Sequence, residues 1–383
     1  MEQFNGKKIL IVGVGKTGFA LINFFSKLNC DIRVTDIKPI FDLNRVVKKL
    51  KRIPAVTKMI FGEHVDDDFL DADIIVYSSA VNPKLSQLCL AREKGREVYS
   101  EFTLANKLCD KPVIAVCGTY GRTTVSHMIG FTLKLEGKST FVGGTSNTPF
   151  IEYCNLPNQN EIDWVVVEVS ALQMRSLEDF HPKVVVFTNL GSGYPEEHFE
   201  SIGDYLETKI SIIKSLTPKD TLIVNFDKLA NNAFFRNVPC STYWYSRKSF
   251  HSLGVMNEVQ GTHFHGRRIN CNINYHSEFK VAKMRLVGLN NRENLLAAVT
   301  ACKALNVSDQ SIQTCVERFP GIPHRLEYLM EKNGVCFYND SKAETMDELI
   351  KSISSFKSPI ILIAGGKDDE EVQFESYVDD MIK

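Results

Sequence analysis

The chain has 383 residues, with 45 Lys and Arg against 46 Asp and Glu, a formal net charge of −1, and 44% hydrophobic residues. That length accommodates two or three domains, each with its own core, and the nearly balanced charge excludes a nucleic-acid partner held by bulk electrostatics. Ten cysteines without a C-x-x-C pair or metal-ligand spacing point to thiols in a reducing compartment; with no signal-peptide core and no apolar run of membrane length, the expected setting is the cytoplasm, without membrane insertion.

Lys8 to Val12 reads as a strand, Gly13-Val-Gly-Lys-Thr-Gly18 as the turn after it, and Phe19 to Leu28 as a helix. The next strand, Ile32 to Thr35, ends at Asp36. A G-x-G-x-x-G turn between strand and helix, with an acid about 20 residues on, is the dinucleotide fingerprint. It points to a nucleotide-type ligand without choosing the nucleotide. The alternative is a turn whose glycines serve only close helix–strand packing. Strand Asp73 to Tyr77 ends in the polar turn Ser78-Ser79, at the carboxyl edge where open α/β sheets bind ligands. Helix Pro83 to Lys94 and strand Val98 to Tyr99 complete a first domain, residues 1–110.

Val113 to Val116 reads as a buried strand, Gly118-Thr-Tyr-Gly121 as a tight turn, and Val125 to Leu135 as a helix. Backbone N–H groups and the helix dipole make such a junction an anion site. Arg122 adds a cation there, and the Thr123 hydroxyl can reach a phosphate-bound Mg²⁺. The phosphate-loop pattern G-x-x-x-x-G-K-[ST] would have Gly at Val116 and Lys at Arg122, so a plain turn with a surface arginine is the alternative. Further on, Trp164 to Val169 is an apolar strand interrupted by Glu168, with Ser170 and Gln173 just beyond. A buried carboxylate is costly unless it is paired or metal-bound, so Mg²⁺ and a salt bridge are its two readings.

Strand Val184 to Thr188 leads to Asn189-Leu-Gly-Ser-Gly-Tyr-Pro195, then to an amphipathic helix over about residues 202–215 carrying Lys209, which composition reads as solvated. Leu222 to Asn225 is another strand, and the alternation over residues 239–284 predicts antiparallel strands. His263 and His265 share a face of one of them, as a metal pair or as packing side chains. Gly288 to Asn294 begins a helix to Leu305. The Pro320-Gly-Ile-Pro323 linker separates a central domain, 111–319, from a C-terminal one, 320–383. The latter holds strand Val335 to Tyr338, the turn Asn339-Asp-Ser-Lys342, a helix, and strand Ile360 to Ala364 ending at Gly365-Gly366. The expected fold is α/β in three domains: a Rossmann-like N-terminal domain, a central P-loop ATPase-type domain and an incomplete Rossmann-like C-terminal domain.

In this order the motifs resemble those of the Mur ligases of peptidoglycan synthesis, in particular the D-glutamate-adding branch. Gly118-Thr-Tyr-Gly-Arg-Thr-Thr124 resembles the family's GT-x-GKTT loop, Glu168-Val-Ser-Ala-Leu-Gln173 its E-x-SS-x-Q strand end, and Tyr205-Leu-Glu-Thr-Lys209 its Y-x-x-AK helix. Pro323-His-Arg325, Asn339-Asp-Ser-Lys-Ala343 and Ala364-Gly-Gly366 follow in the family's order. The resemblance implies a monomer that uses ATP and Mg²⁺ to couple UDP-N-acetylmuramoyl-L-alanine to D-glutamate through an acyl phosphate. It implies that Gly118, Thr119, Gly121, Arg122, Thr123 and Thr124 hold the phosphates, Asn291 and Asn294 the adenine, and Arg325 and Asp340 the ribose and phosphates. Thr123, Glu168 and a carbamylated Lys209 would be the metal ligands, Lys342 would face the incoming amino acid, and His198 would join the catalytic set with Arg122. The UDP-sugar side would comprise Gly13, Val14, Gly15, Thr17, Gly18, Asp36, Ser78 and Ser79, with Gly144, Ser170 and Gln173 nearer the muramyl end.

The sequence departs from that pattern at several of these positions. Arg122 stands for the loop lysine, and its planar fork is no conservative replacement for an ammonium. The family's T-x-DH turn reads Gly191-Ser-Gly-Tyr194, its GGN loop Gly143-Gly-Thr145, its HN pair Asn290-Asn291, and the threonine after DSKA is Glu344. A ligase, a catalytically impaired ligase-like protein that binds nucleotide, UDP-sugar or a partner, and a Rossmann oxidoreductase are the three readings. The last leaves Glu168, Lys209 and the DSKA turn without a role.

Overall fold

The computed structural model describes residues 2–366, apart from 146, 178, 191–198, 236, 257, 283, 285, 344, 345 and 357. The chain divides into two compact units, one made of Met1–Tyr120, Lys138–Leu222 and Asn231–Ser241, the other of Gly121–Gly137, Ile223–Ala230 and Thr242–Lys383.

The first unit opens with five strands, β1 (Lys8–Val12), β2 (Asp31–Asp36), β3 (Val56–Phe61), β4 (Ile74–Tyr77) and β5 (Glu97–Ser100), in a parallel sheet of order β3-β2-β1-β4-β5. Ile9 to Val12 and Ile74 to Tyr77 are wholly buried, which is why these strands read as continuous apolar runs rather than alternating ones. The strand order reverses between β1 and β4, and ligands of such sheets bind at that point. There the turn after β1 meets the turn after β4: a Cβ on Gly13 would lie 3.2 Å from Ser78 Cβ. The helix Lys16–Phe25 packs tightly on its own turn, where a Cβ on Gly18 would lie 2.0 Å from the Gly13 carbonyl oxygen. No side chain fits at Gly18.

The same unit carries β6 (Val113–Cys117), β7 (Thr140–Gly143), β8 (Trp164–Glu168) and β9 (Val184–Phe187), all parallel in the order β9-β6-β8-β7. Strand β10 (Thr221–Asn225) runs across the division of the two units. In the second unit, the helix Arg122–Leu135 begins directly at the glycine turn, three residues before the expected Val125. Gly121 at its N-cap is left-handed (φ +82°), a conformation glycine adopts without cost, so the chain enters the helix at once.

Strands β11 (Ser241–Ser246), β12 (Gly261–His265), β13 (Arg268–Cys271) and β14 (Ser277–Lys280) follow in that unit. The expectation of antiparallel strands holds for β12-β13-β14 but fails for β11, which pairs with β12 in parallel. Alternation reports that one face is buried; it carries no information on strand direction. His263 is buried with its ring 4.7 Å from that of Phe250, while His265 is exposed. Burial first, then the charges of His265 and His276, hold the His263 imidazole down at about 4. It is a packing histidine, and among the described residues no group of three or more His, Cys, Asp or Glu is placed to hold a metal.

Two further strands, β15 (Glu327–Lys332) and β16 (Val335–Asn339), form an antiparallel hairpin around Asn333 and Gly334, both at positive φ. An Asn-Gly pair with that geometry is the preferred two-residue hairpin turn, and sequence reading found only β16. The helix Met346–Ile353 follows. The strand expected over Ile360 to Ala364 is not formed among the described residues, and Ile361 and Ile363 are 91% and 94% exposed. An apolar run is a strand only where a neighbour supplies the ladder, and the described partner of β16 is β15 alone.

Candidate active site

The turn after β6 is held from β9. Gly118 has φ +130°, and a Cβ there would lie 2.0 Å from Thr188 Oγ1. Asn189 Oδ1 accepts from the N–H groups of Thr119 and Tyr120, both at 3.1 Å, and its Nδ2 donates to the Tyr120 carbonyl at 3.0 Å. Lys209 comes to the same turn from the helix Ile202–Ile210, which Ser201 caps by accepting from the Asp204 N–H. Its Nζ donates to Thr119 Oγ1 at 2.8 Å and lies 4.4 Å from the centroid of the Tyr205 ring. At 1% exposure Lys209 is not the solvated lysine that composition suggests. It lies one helical turn from the buried Tyr205, so both occupy the face turned inward, and burying an ammonium is tolerated only with partners.

Glu168 is buried at the carboxyl end of β8, in register with Val116 just before the turn. Gly144 (φ +92°) crosses its backbone so closely that a Cβ would lie 2.3 Å from the Glu168 carbonyl oxygen. Gln173 fastens this crossing: its Nε2 donates to the Gly144 carbonyl at 2.9 Å, and its Oε1 accepts from the Ser170 N–H at 2.8 Å. The Ser170 hydroxyl accepts from the Gln173 N–H in return, a capping box for the helix Ala171–Arg175. Gly144, Glu168, Ser170 and Gln173 thus form one cluster, with both ends of the Gln173 amide engaged within the protein.

In the N-terminal sheet Asp36 is likewise engaged by backbone. Its Oδ2 accepts from the Val14 N–H at 2.9 Å and its Oδ1 from the Lys38 N–H at 3.0 Å. Thr17 is buried, and Gly15 has open space where a Cβ would be. Ser79 follows Ser78 in the turn after β4.

In the second unit, a Cβ on Gly121 would lie 2.2 Å from Asn294 Oδ1. Asn294 Nδ2 donates to Asn291 Oδ1 at 3.3 Å, and Asn291 Nδ2 to the Val287 carbonyl at 2.8 Å. The start of the helix Leu289–Ala304 is therefore brought against the start of Arg122–Leu135, whose first turn holds Arg122, Thr123 and Thr124. Farther along, the segment around Arg325 is stitched to the turn after β16. The Leu326 N–H donates to Asp340 Oδ1 (2.9 Å), the Lys342 N–H to the His324 carbonyl (3.1 Å), and Asn339 Nδ2 to His324 Nδ1 (2.8 Å). The second carboxylate oxygen of Asp340 is buried and has no hydrogen-bond partner among the described residues, as suits a group awaiting a ligand hydroxyl or N–H. His198, Tyr194, Gly193 and Glu344 lie outside the described residues.

Sequence reading missed Thr188 and Asn189 as site residues. The one signal was a polar pair closing an apolar strand beside the strand of the phosphate loop, an arrangement visible only once the strand order is known.

A Rossmann-ordered sheet with a fingerprint turn, together with a lysine-braced glycine turn in a second parallel sheet, defines an α/β protein with two strand–glycine-turn–helix junctions. Residues 7–100 match the Mur ligase MurD-like N-terminal domain and residues 116–302 the Mur ligase middle domain. The chain is 31% identical over 371 residues to the UDP-N-acetylmuramoylalanine–D-glutamate ligase of Bdellovibrio bacteriovorus, covering 96% of this chain and 79% of the relative. It is 34% identical over 367 residues to the enzyme of the same name from Koribacter versatilis, covering 95% and 78%. Among solved structures, it is similar to the UDP-N-acetylmuramate–alanine ligase of Thermotoga maritima, with a TM-score of 0.57, 19% identity, and 91% of this chain and 77% of that one covered. The chain belongs to the Mur ligase family. No helix among the described residues is long and apolar enough to cross a membrane.

Proposed function

We infer that the chain is an ATP-dependent amide ligase that adds D-glutamate to UDP-N-acetylmuramoyl-L-alanine in the cytoplasm, built as three domains with boundaries near residues 110 and 320. The observation that carries the reading is Lys209, buried and donating to Thr119 of the glycine turn. A buried lysine is costly unless it is partnered, and this one is partnered to the turn expected to take the phosphates.

ATP supplies the phosphoryl group that turns the substrate carboxylate into an acyl phosphate; the amine of the amino acid then attacks the acyl carbon, and phosphate leaves. Charge collects on phosphate oxygens in both steps, so fixed cations are the main instrument of catalysis. Arg122, in the first helical turn after Gly121, would offset that charge together with the helix dipole. Thr123 and the buried Glu168 would hold Mg²⁺, which supplies Lewis-acid charge at the phosphates. Lys209, carbamylated as the resemblance implies, would present a carboxylate to a second ion. Asn291 and Asn294 would take the adenine, and Arg325 with the open oxygen of Asp340 the ribose. Lys342 would face the carboxylate of the incoming amino acid, with His198 nearby. The UDP-sugar would lie along the turns of Gly13 to Gly18 and Ser78-Ser79, whose meeting Gly13 permits.

The test is phosphate release from ATP with UDP-N-acetylmuramoyl-L-alanine and a panel of amino acids. Release with D-glutamate and not with L-glutamate, L-alanine or a diamino acid supports the assignment. Release with a different amino acid alone would reassign the acceptor.

A further inference from the structure

We propose that Thr188 and Asn189 are positioning residues that lock the shape of the phosphate loop and thereby set its affinity for ATP. The inference rests on the ATP-ligase reading and extends it to two residues that touch neither the reacting carboxylate nor the amine.

Both side chains are buried just past the carboxyl end of β9, and together they engage the N–H groups of Thr119 and Tyr120 and the carbonyls of Tyr120 and Cys117. Asn189 takes the N–H groups of Thr119 and Tyr120 with its oxygen, and gives its two amide protons to the Tyr120 carbonyl (3.0 Å) and to Thr188 Oγ1 (3.2 Å). The Thr188 hydroxyl has one proton. The Tyr120 carbonyl at 2.7 Å is its closer acceptor, with the Cys117 carbonyl at 3.1 Å. Tyr120 O thus receives both side chains on its two lone pairs.

Three consequences follow for the loop. The Thr119 and Tyr120 N–H groups are both directed at Asn189 Oδ1, which fixes the orientation of these two peptide groups. Thr188 Oγ1 occupies the space a side chain on residue 118 would need, which is why a glycine stands there at φ +130°. Thr119 is fixed twice, its N–H by Asn189 and its hydroxyl by Lys209, so the position of the Lys209 partner depends on Asn189. Pre-organised donors and cations at a charge-developing site lose their advantage when they must be reorganised at each turnover.

The test is calorimetric binding of ATP with Mg²⁺ to the full chain, alongside binding of UDP-N-acetylmuramoyl-L-alanine and a thermal melt. Thr188→Val keeps the shape and loses the hydroxyl. Asn189→Asp keeps the acceptors and loses both donations. Each should weaken ATP about 10-fold, the effect of losing one or two buried hydrogen bonds, with the UDP-substrate affinity unchanged. Thr188→Ser, which retains the hydroxyl, should restore ATP binding to within about 2-fold of the parent. Variants that bind ATP like the parent would overturn the proposal while leaving the ligase reading intact. Equal weakening of both ligands with a lowered melting temperature would also overturn it, as general damage. No ATP binding by the parent would overturn the ligase reading and the proposal together.

Discussion

Single residues decide this site through what they exclude as much as through what they bind. At Gly18 a Cβ would lie 2.0 Å from a backbone oxygen that has no room to yield. Gly18→Ala is therefore expected to destabilise the chain by about 1–3 kcal/mol, the cost of forcing extra volume into packed structure, and to weaken the UDP-sugar more than ATP. Chemical denaturation and calorimetry would read the two effects, and an unaltered midpoint would refute the packing argument. Lys209 supplies the opposite case. Lys209→Met keeps the length and removes a buried charge whose desolvation is costly, so the fold should lose little stability while turnover falls by about 100-fold or more. A variant that unfolds yet turns over normally when folded would show that Lys209 is structural. The glycine positions were legible in the sequence because a strand–turn–helix junction brings backbones too close for a Cβ at fixed spacings. The burial of Lys209 was not, since one lysine on an amphipathic helix looks the same whether its face is wet or dry.

At the scale of elements, local chemistry sets the ends of helices and leaves strand partnership to the rest of the fold. Ser308 caps the helix Asp309–Arg318, accepting from the Ser311 N–H at 3.3 Å while its hydroxyl donates to Glu136 Oε2 at 2.6 Å. Ser308→Ala should cost about 1 kcal/mol, read as a shifted denaturation midpoint with an unchanged slope; a change within error would remove the cap from the account. The largely apolar strands β1, β4, β6, β8 and β9 were readable, as were the two glycine turns that follow β1 and β6, because short continuous apolar runs bounded by turn residues have few other uses. The parallel pairing of β11 with β12 was not readable, nor was the unpaired state of residues 360–364, because both depend on which edge lies alongside. Thr188 and Asn189 went unnoticed for the same reason: β9 lies next to β6 in space, and the intervening chain gives no hint of it.

Over the whole molecule, pH dependence should be governed by buried groups of opposite sign. Glu101 is fully buried at the start of the helix Glu101–Leu108, and its Oε1 accepts from the Ile151 N–H at 2.7 Å. Burial is the largest influence and pushes its carboxyl up to about 7 from 4.5, against the backbone hydrogen bonds of Ile151 and Phe150. Its folded pKa is raised, so its contribution to stability is fully present below the unfolded value and is lost as pH rises through about 7. The loss is about 3 kcal/mol from the size of that shift. His263, held down at about 4, acts oppositely: its contribution is present above its ordinary value of 6.5 and is lost as pH falls through about 4. Glu101→Gln should flatten the decline of stability on the alkaline side of pH 5 and leave the acid side alone. An identical profile for parent and variant would contradict the assignment.

The central claim, ligation through an acyl phosphate, is tested most directly by following an oxygen atom. The chain would be incubated with ATP, Mg²⁺, D-glutamate and UDP-N-acetylmuramoyl-L-alanine labelled with ¹⁸O in its terminal carboxylate, with product and phosphate weighed by mass spectrometry. The account predicts a product heavier by one glutamyl residue and an equal amount of phosphate carrying one ¹⁸O. Product with unlabelled phosphate would contradict the acyl phosphate, and phosphate without product would contradict the ligase.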